Sequence, residues 1–303
     1  MRILNFRPNS MARSLRMGVT KTYGLVVPDI ANPFFAEIGR KIENFCYQNG
    51  YNVILCNSDD NQARESSYIE LLISKMVDGV IFIAAGDRAD NLTQLVDAEI
   101  PVVIVDRDFP QSIADVILVD NAQGGYLATE YLIKLGHYRI ACISGASQVT
   151  PSADRVRGYR QALMDYRLPV DEEFIVSGYL RYEGGIKAME QLLQHPRPPT
   201  AVFCCNDVMA VGALRTLRNH GFRVPEDVSL VGFDDIFLAS AVTPALTTIA
   251  QPVDEIAQKA AELLLSRTKS NEPTRNVNRY VFSTRLVIRD SCCRIMSSIR
   301  EEE

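Results

Sequence analysis

Short apolar runs rich in β-branched residues alternate with longer stretches in which apolar residues recur at helical spacing. The runs, such as TAVFCC, are nearly continuous in apolar residues and do not alternate with polar positions. Such runs are typical of strands buried on both faces, as in parallel sheets covered by helices. The pattern therefore predicts an α/β protein with right-handed crossovers between successive strands.

The predicted elements form two successive groups, which indicate two parallel-sheet α/β lobes. The predicted strands are 23–27, 51–56, 79–84, 101–106 and 116–120, then 138–143, 174–178, 200–205 and 228–233. The predicted helices are 33–49, 61–76 and 87–98, then 121–135, 153–166, 183–194 and 207–219. A helix near 253–266 and a strand near 279–288 follow the second group and must join one lobe or both. The length of 303 residues also favours two domains of ~100–200 residues each.

Charge is distributed unevenly along the chain. Residues 1–28 carry five basic side chains and no acidic one, so the net charge of −5 leaves −10 for the remainder. A basic arm on an acidic body is the asymmetry expected when one end contacts phosphate. Charge alone also fits a solvated, frayed terminus, and it favours that interpretation.

Several function classes are disfavoured by what the sequence lacks. There is no G-x-S-x-G elbow, P-loop or G-x-G-x-x-G motif, so neither catalysis nor a cofactor is expected. The seven cysteines form no C-x-x-C and no His–Cys zinc spacing, which predicts reduced thiols and no metal. No apolar run approaches ~20 residues and the start has no apolar h-region, so we expect a cytoplasmic protein with no membrane partner.

Polar side chains follow most of the predicted strands, where open α/β sheets bind ligands. They are Asp29, Asn32, Asp106, Arg107, Asp108, Asp120, Asn121, Thr150, Ser152, Arg155, Asn206, Asp207, Asp234, Asp235 and Gln251, with Phe34, Phe35 and Phe203 nearby. Carboxylates, amides and guanidinium groups suit sugar hydroxyls, and aromatic faces suit a sugar ring or a base. Two such lobes facing each other predict a cleft for a small polar ligand. Some of these residues, such as Asn32 and Asn206, fit helix caps equally well.

Several motifs resemble the lactose/galactose-repressor (LacI/GalR) family of bacterial transcription regulators. They include FRPNSMARSLR (6–16), TYGLVVPDIANPFFAEI (22–38), GHYRIACISG (136–145), AVFCCNDVMAVGAL (201–214), VPEDVSLVGFDDI (224–236) and PALTTIAQP (244–252). The resemblance covers about residues 4–292, in the order of the family's own motifs.

The resemblance implies a periplasmic-binding-protein type I core with three crossovers between the lobes, preceded by a short hinge helix. The expected divisions are 1–21 for a headpiece remnant and hinge helix, 22–121 with 252–279 for the first lobe, 122–251 with 280–292 for the second, and 293–303 for a tail. The family also implies a homodimer and operator DNA as partners.

The resemblance further implies a small-molecule effector, often a sugar or a purine in this family. The implied ligand-binding residues are Phe34, Phe35, Asp106, Arg107, Arg155, Phe203, Asn206, Asp234 and Gln251. Arg155 is expected to donate to ring or hydroxyl oxygens, Asp234 and Asn206 to hold hydroxyls, and the aromatic rings to pack on the ligand. Residues 150–159 and 238–252 look most like ribose-operon repressors, so ribose is the favoured ligand and a purine the second.

The basic N-terminal segment resembles the family's hinge helix, which enters the minor groove. Its implied DNA-binding residues are Asn9, Ser10, Arg13, Ser14, Leu15 and Arg16, with Leu15 as the wedge at a base step. Family members begin with a helix-turn-helix headpiece of about 45 residues. Only its last few residues, Ile3 to Phe6, are expected here, so operator reading in the major groove is not expected of this chain.

Two other functions are weighed against a ligand-responsive repressor. A stand-alone cytoplasmic or transport-linked sugar-binding protein is disfavoured by the basic hinge, the cysteines and the missing signal peptide. An enzyme acting on a sugar or nucleoside is disfavoured by the missing nucleophile, base and metal ligands. Turnover of a sugar would rescue the enzyme hypothesis.

Overall fold

Strands and helices alternate along the chain as the apolar pattern predicts. The computed structural model describes residues 19–83, 90–107, 114–146, 150–269 and 277–295. The strands are β1 (Thr22–Val27), β2 (Asn52–Asn57), β3 (Gly79–Ile83), β4 (Val102–Val105), β5 (Asp115–Val119), β6 (Ile140–Ser144), β7 (Ile175–Ser177), β8 (Ala201–Cys204), β9 (Ser229–Asp234), β10 (Thr247–Ala250), β11 (Arg279–Phe282) and β12 (Arg285–Val287). The helices are α1 (Pro33–Gln48), α2 (Gln62–Ser74), α3 (Asp90–Asp97), α4 (Asn121–Lys134), α5 (Thr150–Asp165), α6 (Tyr182–Leu193), α7 (Asp207–Asn219), α8 (Phe237–Ala241) and α9 (Val253–Lys269).

The chain divides into two units, each with its own sheet. Unit 1 comprises the described residues up to Leu118 together with Val253–Tyr280. Unit 2 comprises Val119–Pro252 and the described residues from Val281 onward. The chain therefore passes from one unit to the other three times. Both sheets have six strands and are predominantly parallel, so the predicted α/β fold class is confirmed.

The sheet of unit 1 has the strand order β11-β5-β4-β3-β1-β2. Strand β1 pairs in parallel with β2 and β3, and β4 pairs in parallel with β3 and β5. Every residue of β3 and β4 is buried, as expected of strands covered on both faces. Asn32 caps α1 by accepting a hydrogen bond from the backbone N–H of Phe34, and Pro33 supplies a fixed φ at the first helical position.

A buried ion pair fastens α9 to β5 in unit 1. The Asp115 carboxylate accepts hydrogen bonds from Arg267 Nε at 2.8 Å and Nη2 at 2.9 Å. The backbone N–H of Asn278 donates to the same carboxylate at 2.8 Å. Burial raises the pKa of Asp115, but these hydrogen bonds outweigh burial and lower it below its ordinary value. The pair thus holds α9, which returns from the far end of the chain, against the sheet.

The sheet of unit 2 has the strand order β12-β10-β9-β8-β6-β7, with β10 and β12 antiparallel. Its helices α4 and α5 approach closely through two glycines. A Cβ on Gly125 would lie 2.0 Å from the carbonyl oxygen of Arg155, and one on Gly158 would lie 2.0 Å from that of Ala122. The close approach brings the start of α4, with Asn121, beside the first turns of α5.

One predicted strand is wrong and one short helix was not predicted. The apolar stretch 279–288 is not a single strand, because its two halves, β11 and β12, pair in different sheets. The polar pair Ser283–Thr284 separates them. The five-residue helix α8 was not predicted, since it is too short to show a period. Within the described residues, no helix is both long and apolar enough to cross a membrane.

His137 lies in a polar network at the amino end of the unit 2 sheet. Its ring nitrogens are 3.1 Å from the hydroxyl oxygens of Thr200 and Ser229 and from the carbonyl oxygen of Cys293. Burial lowers its pKa below the ordinary value of 6.5, although the contact with the Cys293 carbonyl opposes the shift.

We expect His137 to make the stability of the protein fall with acid. The pKa of His137 is 6.5 in the unfolded chain and lower in the folded protein. The neutral ring therefore contributes its full free energy of stabilisation above pH 6.5. That contribution is lost as the pH falls from 6.5 toward the folded-state pKa. The slope is at most about 1.4 kcal/mol per pH unit in that window. Urea unfolding of wild type and His137→Gln across this pH range tests the prediction. The variant should lose less unfolding free energy than wild type as the pH falls. Equal losses in both proteins would contradict the prediction.

Candidate functional site

The carboxyl ends of β6, β8, β9 and β10 lie at one edge of the unit 2 sheet. The connection after β6 leads to β7 on one side, whereas the connection after β8 leads to β9 on the other. The strand order therefore reverses between β6 and β8, which is where open α/β sheets form a ligand crevice. Helix α5, with Arg155, follows β6, and the residues Cys205 and Asn206 follow β8.

Arg155 is the cation of this edge and its guanidinium is held in one orientation. Its Nε donates to Asn121 Oδ1 at 2.8 Å, and its Nη1 donates to the carbonyl oxygen of Cys205. The guanidinium carbon lies 3.8 Å from the centre of the Phe233 ring, a cation–π contact. Only 5% of the residue is exposed. Nε and Nη1 are thus committed to protein acceptors.

Asp234 lies at the end of β9 and supplies a carboxylate to this edge. Its Oδ1 is 3.6 Å from Arg155 Nη1 and accepts a hydrogen bond of 2.7 Å from Gln251 Nε2. All three side chains are buried. The Gln251 Oε1 atom is also buried, and it has no hydrogen-bond partner among the described residues. A buried amide oxygen without a donor is costly, so this atom favours a ligand that brings a hydroxyl or an N–H.

Two of the predicted ligand-binding residues in unit 2 have structural roles. Asn206 caps α7, with Oδ1 accepting from the Met209 N–H at 2.9 Å and Nδ2 donating to the Leu180 carbonyl at 3.0 Å. The capping interpretation of Asn206 is therefore confirmed, as it is for Asn32. Phe203 has no exposed surface and belongs to the apolar core of the unit, so its ring is enclosed by protein.

The remaining predicted ligand-binding residues lie in unit 1, after β1 and β4. Phe34 is buried and Phe35 is half-buried, and their rings meet edge to face with centroids 5.3 Å apart. Asp106 has a positive φ of 72°, and its backbone N–H donates to the Ile117 carbonyl at 2.9 Å. Arg107, next along the chain, is buried. The ligand-binding assignment of these four residues stays a prediction.

Asp207 was not predicted as a site residue, yet it lies close enough to Asp234 for their charges to interact. It has no exposed surface, and burial together with the Asp234 charge raises its pKa well above the ordinary range. Hydrogen bonds from Thr248 and from the Ile236 N–H oppose that rise. Asn121 also went unassigned, although Asn121 directly follows a predicted strand and Asp207 comes two residues after one. That position was the signal that could have found them.

The thiols near this edge are not suited to nucleophilic catalysis. Two thiols close to it, Cys142 and Cys204, are fully buried, and burial raises the pKa of each well above its ordinary value. Such thiols do not form the thiolate that a nucleophile requires. Among the residues that the structure describes, no three His, Cys, Asp or Glu side chains are placed to hold a metal ion.

Comparison with known proteins identifies the family. Residues 129–292 match the periplasmic binding protein-like domain family. The HTH-type transcriptional repressor PurR of Vibrio atlanticus is 39% identical over 276 residues, which cover 90% of this chain and 82% of the repressor. The ribose operon repressor of Haemophilus influenzae is 38% identical over 288 residues, covering 95% and 86%.

A solved structure agrees with these relatives. A LacI family transcriptional regulator from Enterococcus faecium, with bound ribose, superposes with a TM-score of 0.83 at 33% identity. The match covers 91% of this chain and all of that one. The chain belongs to the LacI family of transcription regulators. The relatives of this LacI-family chain are repressors and regulators, not enzymes.

The hinge prediction for this LacI-family protein lies outside the described residues. Asn9, Ser10, Arg13, Ser14, Leu15 and Arg16 all precede Val19, where the description begins. Their role in contacting DNA stays a prediction.

Proposed function

We propose that this chain is the effector-sensing part of a ligand-responsive transcriptional repressor and that its effector is ribose. The observation that carries the proposal is the buried array of Arg155, Asp234 and Gln251 at the carboxyl edge of the unit 2 sheet. The proposal needs no catalytic step, because the array offers fixed donors and acceptors without a nucleophile.

The array combines a hydrogen-bond donor with a hydrogen-bond acceptor, which supports a polyhydroxyl ligand. Arg155 Nη2 can only donate, whereas Gln251 Oε1 can only accept. A sugar hydroxyl both donates and accepts, so adjacent hydroxyls can satisfy the two groups together. Arg155 and Asp234 also offset each other's charge at 3.6 Å, which favours a neutral ligand over a phosphorylated one.

The relatives favour two effectors, and the array helps to choose between them. Purine repressors and a ribose operon repressor match the chain at nearly equal identity. A purine base binds largely through stacking on aromatic faces. In unit 2 the Phe203 ring is enclosed in the core and the Phe233 ring packs against Arg155, which supports the sugar. The ribose-bound structure from Enterococcus faecium supports the same choice.

Control of DNA binding is the second part of the proposal. A LacI-family regulator acts on operator DNA, and we propose that ribose binding alters the affinity for that DNA through the basic segment 9–16. The protein is proposed to act in the cytoplasm as a homodimer. Its two basic segments would then bind the two half-sites of an operator with matching two-fold symmetry.

Thermal unfolding against a ligand panel tests the proposal. Ribose at about 100 times its Kd should add about 2.7 kcal/mol of stability. At about 2–4 °C per kcal/mol, the Tm should rise by several degrees. Other pentoses, hexoses, ribose 5-phosphate, hypoxanthine and guanine are the comparison ligands.

Each alternative result has a definite meaning. A shift with purines alone would keep the family and overturn ribose. A shift with the phosphorylated sugar alone would overturn the neutral ligand. Turnover of a sugar would overturn the binding function in favour of an enzyme.

A further inference from the structure

The carboxyl of Asp207 joins three elements behind the ribose site. It has no exposed surface and lies at the first position of α7. Its Oδ1 accepts a hydrogen bond of 2.6 Å from the Thr248 hydroxyl in β10. Its Oδ2 accepts one of 2.9 Å from the backbone N–H of Ile236, just after β9. A single side chain therefore ties α7 to two strands that end at the site.

Strand β9 is shaped to admit this carboxyl. Gly232 lies within the strand, and a Cβ at that position would be 2.0 Å from Asp207 Oδ1. The same Cβ would lie 2.8 Å from a methyl group of Leu246. Only glycine leaves room for the carboxyl at this point, so the backbone of β9 approaches Asp207 directly.

The turn that follows has an unusual backbone. Asp234 has a φ of 106° and Asp235 a φ of 57°, both in the region that favours glycine. Such conformations persist only where neighbouring groups hold them in place. The turn is held from two sides: Ile236 donates to Asp207, and Asp235 pairs with Arg289 Nη2 at 2.6 Å. Arg289 is itself fixed by donating to the Leu246 carbonyl at 2.8 Å.

We infer that Asp207 is a positioning residue of the effector site, which holds the Asp234–Ile236 turn so that the Asp234 carboxylate meets Arg155 and Gln251. The inference rests on the proposed function, since it assigns Asp207 a part in binding the effector. Asp207 acts through Asp234 and does not touch the ligand. Its loss should free the turn, and the Asp234 carboxylate should then sample orientations that do not bind.

The asparagine and alanine variants differ in what they preserve. In Asp207→Asn, the amide oxygen can accept from the Ile236 N–H while the amide nitrogen donates to Thr248 Oγ1. In Asp207→Ala, both hydrogen bonds are lost. Thr248→Val removes only the hydrogen bond between Asp207 and residue 248 and leaves the hydrogen bond from the Ile236 N–H, which holds the turn. The turn should therefore be free in Asp207→Ala and held in the other two variants.

Amide hydrogen exchange at Ile236, measured without ligand, tests the link to the turn. We expect exchange at least about tenfold faster in Asp207→Ala than in wild type, and near the wild-type rate in Asp207→Asn and Thr248→Val. Calorimetric titration with ribose should show about a tenfold weaker affinity in Asp207→Ala, most of it recovered in Asp207→Asn.

Asp115→Asn is the matched control, because Asp115 is a buried, hydrogen-bonded carboxylate of unit 1. It should lower stability without changing Ile236 exchange or the affinity of the folded protein for ribose. Unchanged Ile236 exchange in Asp207→Ala would overturn the inference. So would an affinity loss no larger than that of Asp115→Asn. If wild type binds no ribose, the proposed function fails, while the exchange rates still decide whether Asp207 holds the turn.

Discussion

Replacing Arg155 with alanine is expected to abolish the ribose-dependent rise in Tm and to destabilise the protein. The change removes the donor that we propose for the ligand, so affinity should fall at least about 100-fold, equivalent to about 2.7 kcal/mol. It also removes the guanidinium 3.6 Å from the buried Asp234 carboxylate and the N–H that donates to Asn121 Oδ1. Removing one partner of a buried pair costs about 3–5 kcal/mol, and the 3.6 Å separation favours the lower end.

Arg155→Lys is the control that separates charge from geometry. Lysine keeps the cation beside Asp234, but its ammonium cannot stack on Phe233 or reproduce the fork of donors to Asn121 and Cys205. We expect stability closer to wild type and weak ribose binding. Urea unfolding and calorimetric titration measure the two quantities separately. Ribose affinity within about threefold of wild type in Arg155→Ala would refute the assigned role.

Alanine at Gly125 or Gly158 is expected to cost about 3 kcal/mol of unfolding free energy, at the upper end for overpacking. Each new Cβ would lie 2.0 Å from a carbonyl oxygen of the facing helix. Backbone atoms cannot move aside as a side chain end can, so α4 and α5 must separate. Gly125→Ala should also weaken ribose binding, because its clash falls on the backbone of Arg155 itself.

Gly39→Ala provides the matched control for the glycine pair. Gly39 is also a buried position inside a helix, and its Cβ would meet only a Leu25 methyl group at an ordinary 3.5 Å. Alanine has the higher helix propensity, so stability should stay level or rise by up to about 1 kcal/mol. Urea unfolding monitored by circular dichroism compares the three variants. Equal stability of Gly125→Ala and Gly39→Ala would show that the helices can part without cost.

Three of the predicted site residues lie together in the structure. Arg155, Asp234 and Gln251 were expected from the family resemblance, and the structure brings all three together within unit 2. Asn206 had two interpretations, and its hydrogen bonds support the helix cap. Asp207 and Asn121 were seen as polar residues after strands but were not assigned, because nothing local distinguishes a ligand-facing side chain from one that supports it.

The sequence by itself determined the alternation of buried strands and helices, the two parallel sheets and the family. Those features depend on local hydrophobic period and on motifs, which can be read along the chain. Tertiary structure decided which polar groups meet: Asn121 with Arg155, and Asp207 with Thr248 and Ile236. It also divided 279–288 between two sheets and enclosed Phe203. These outcomes depend on contacts between residues that are distant in sequence. In a sheet whose strand order is not consecutive, neighbouring strands share no local sequence signal, so their contacts cannot be predicted from a local pattern.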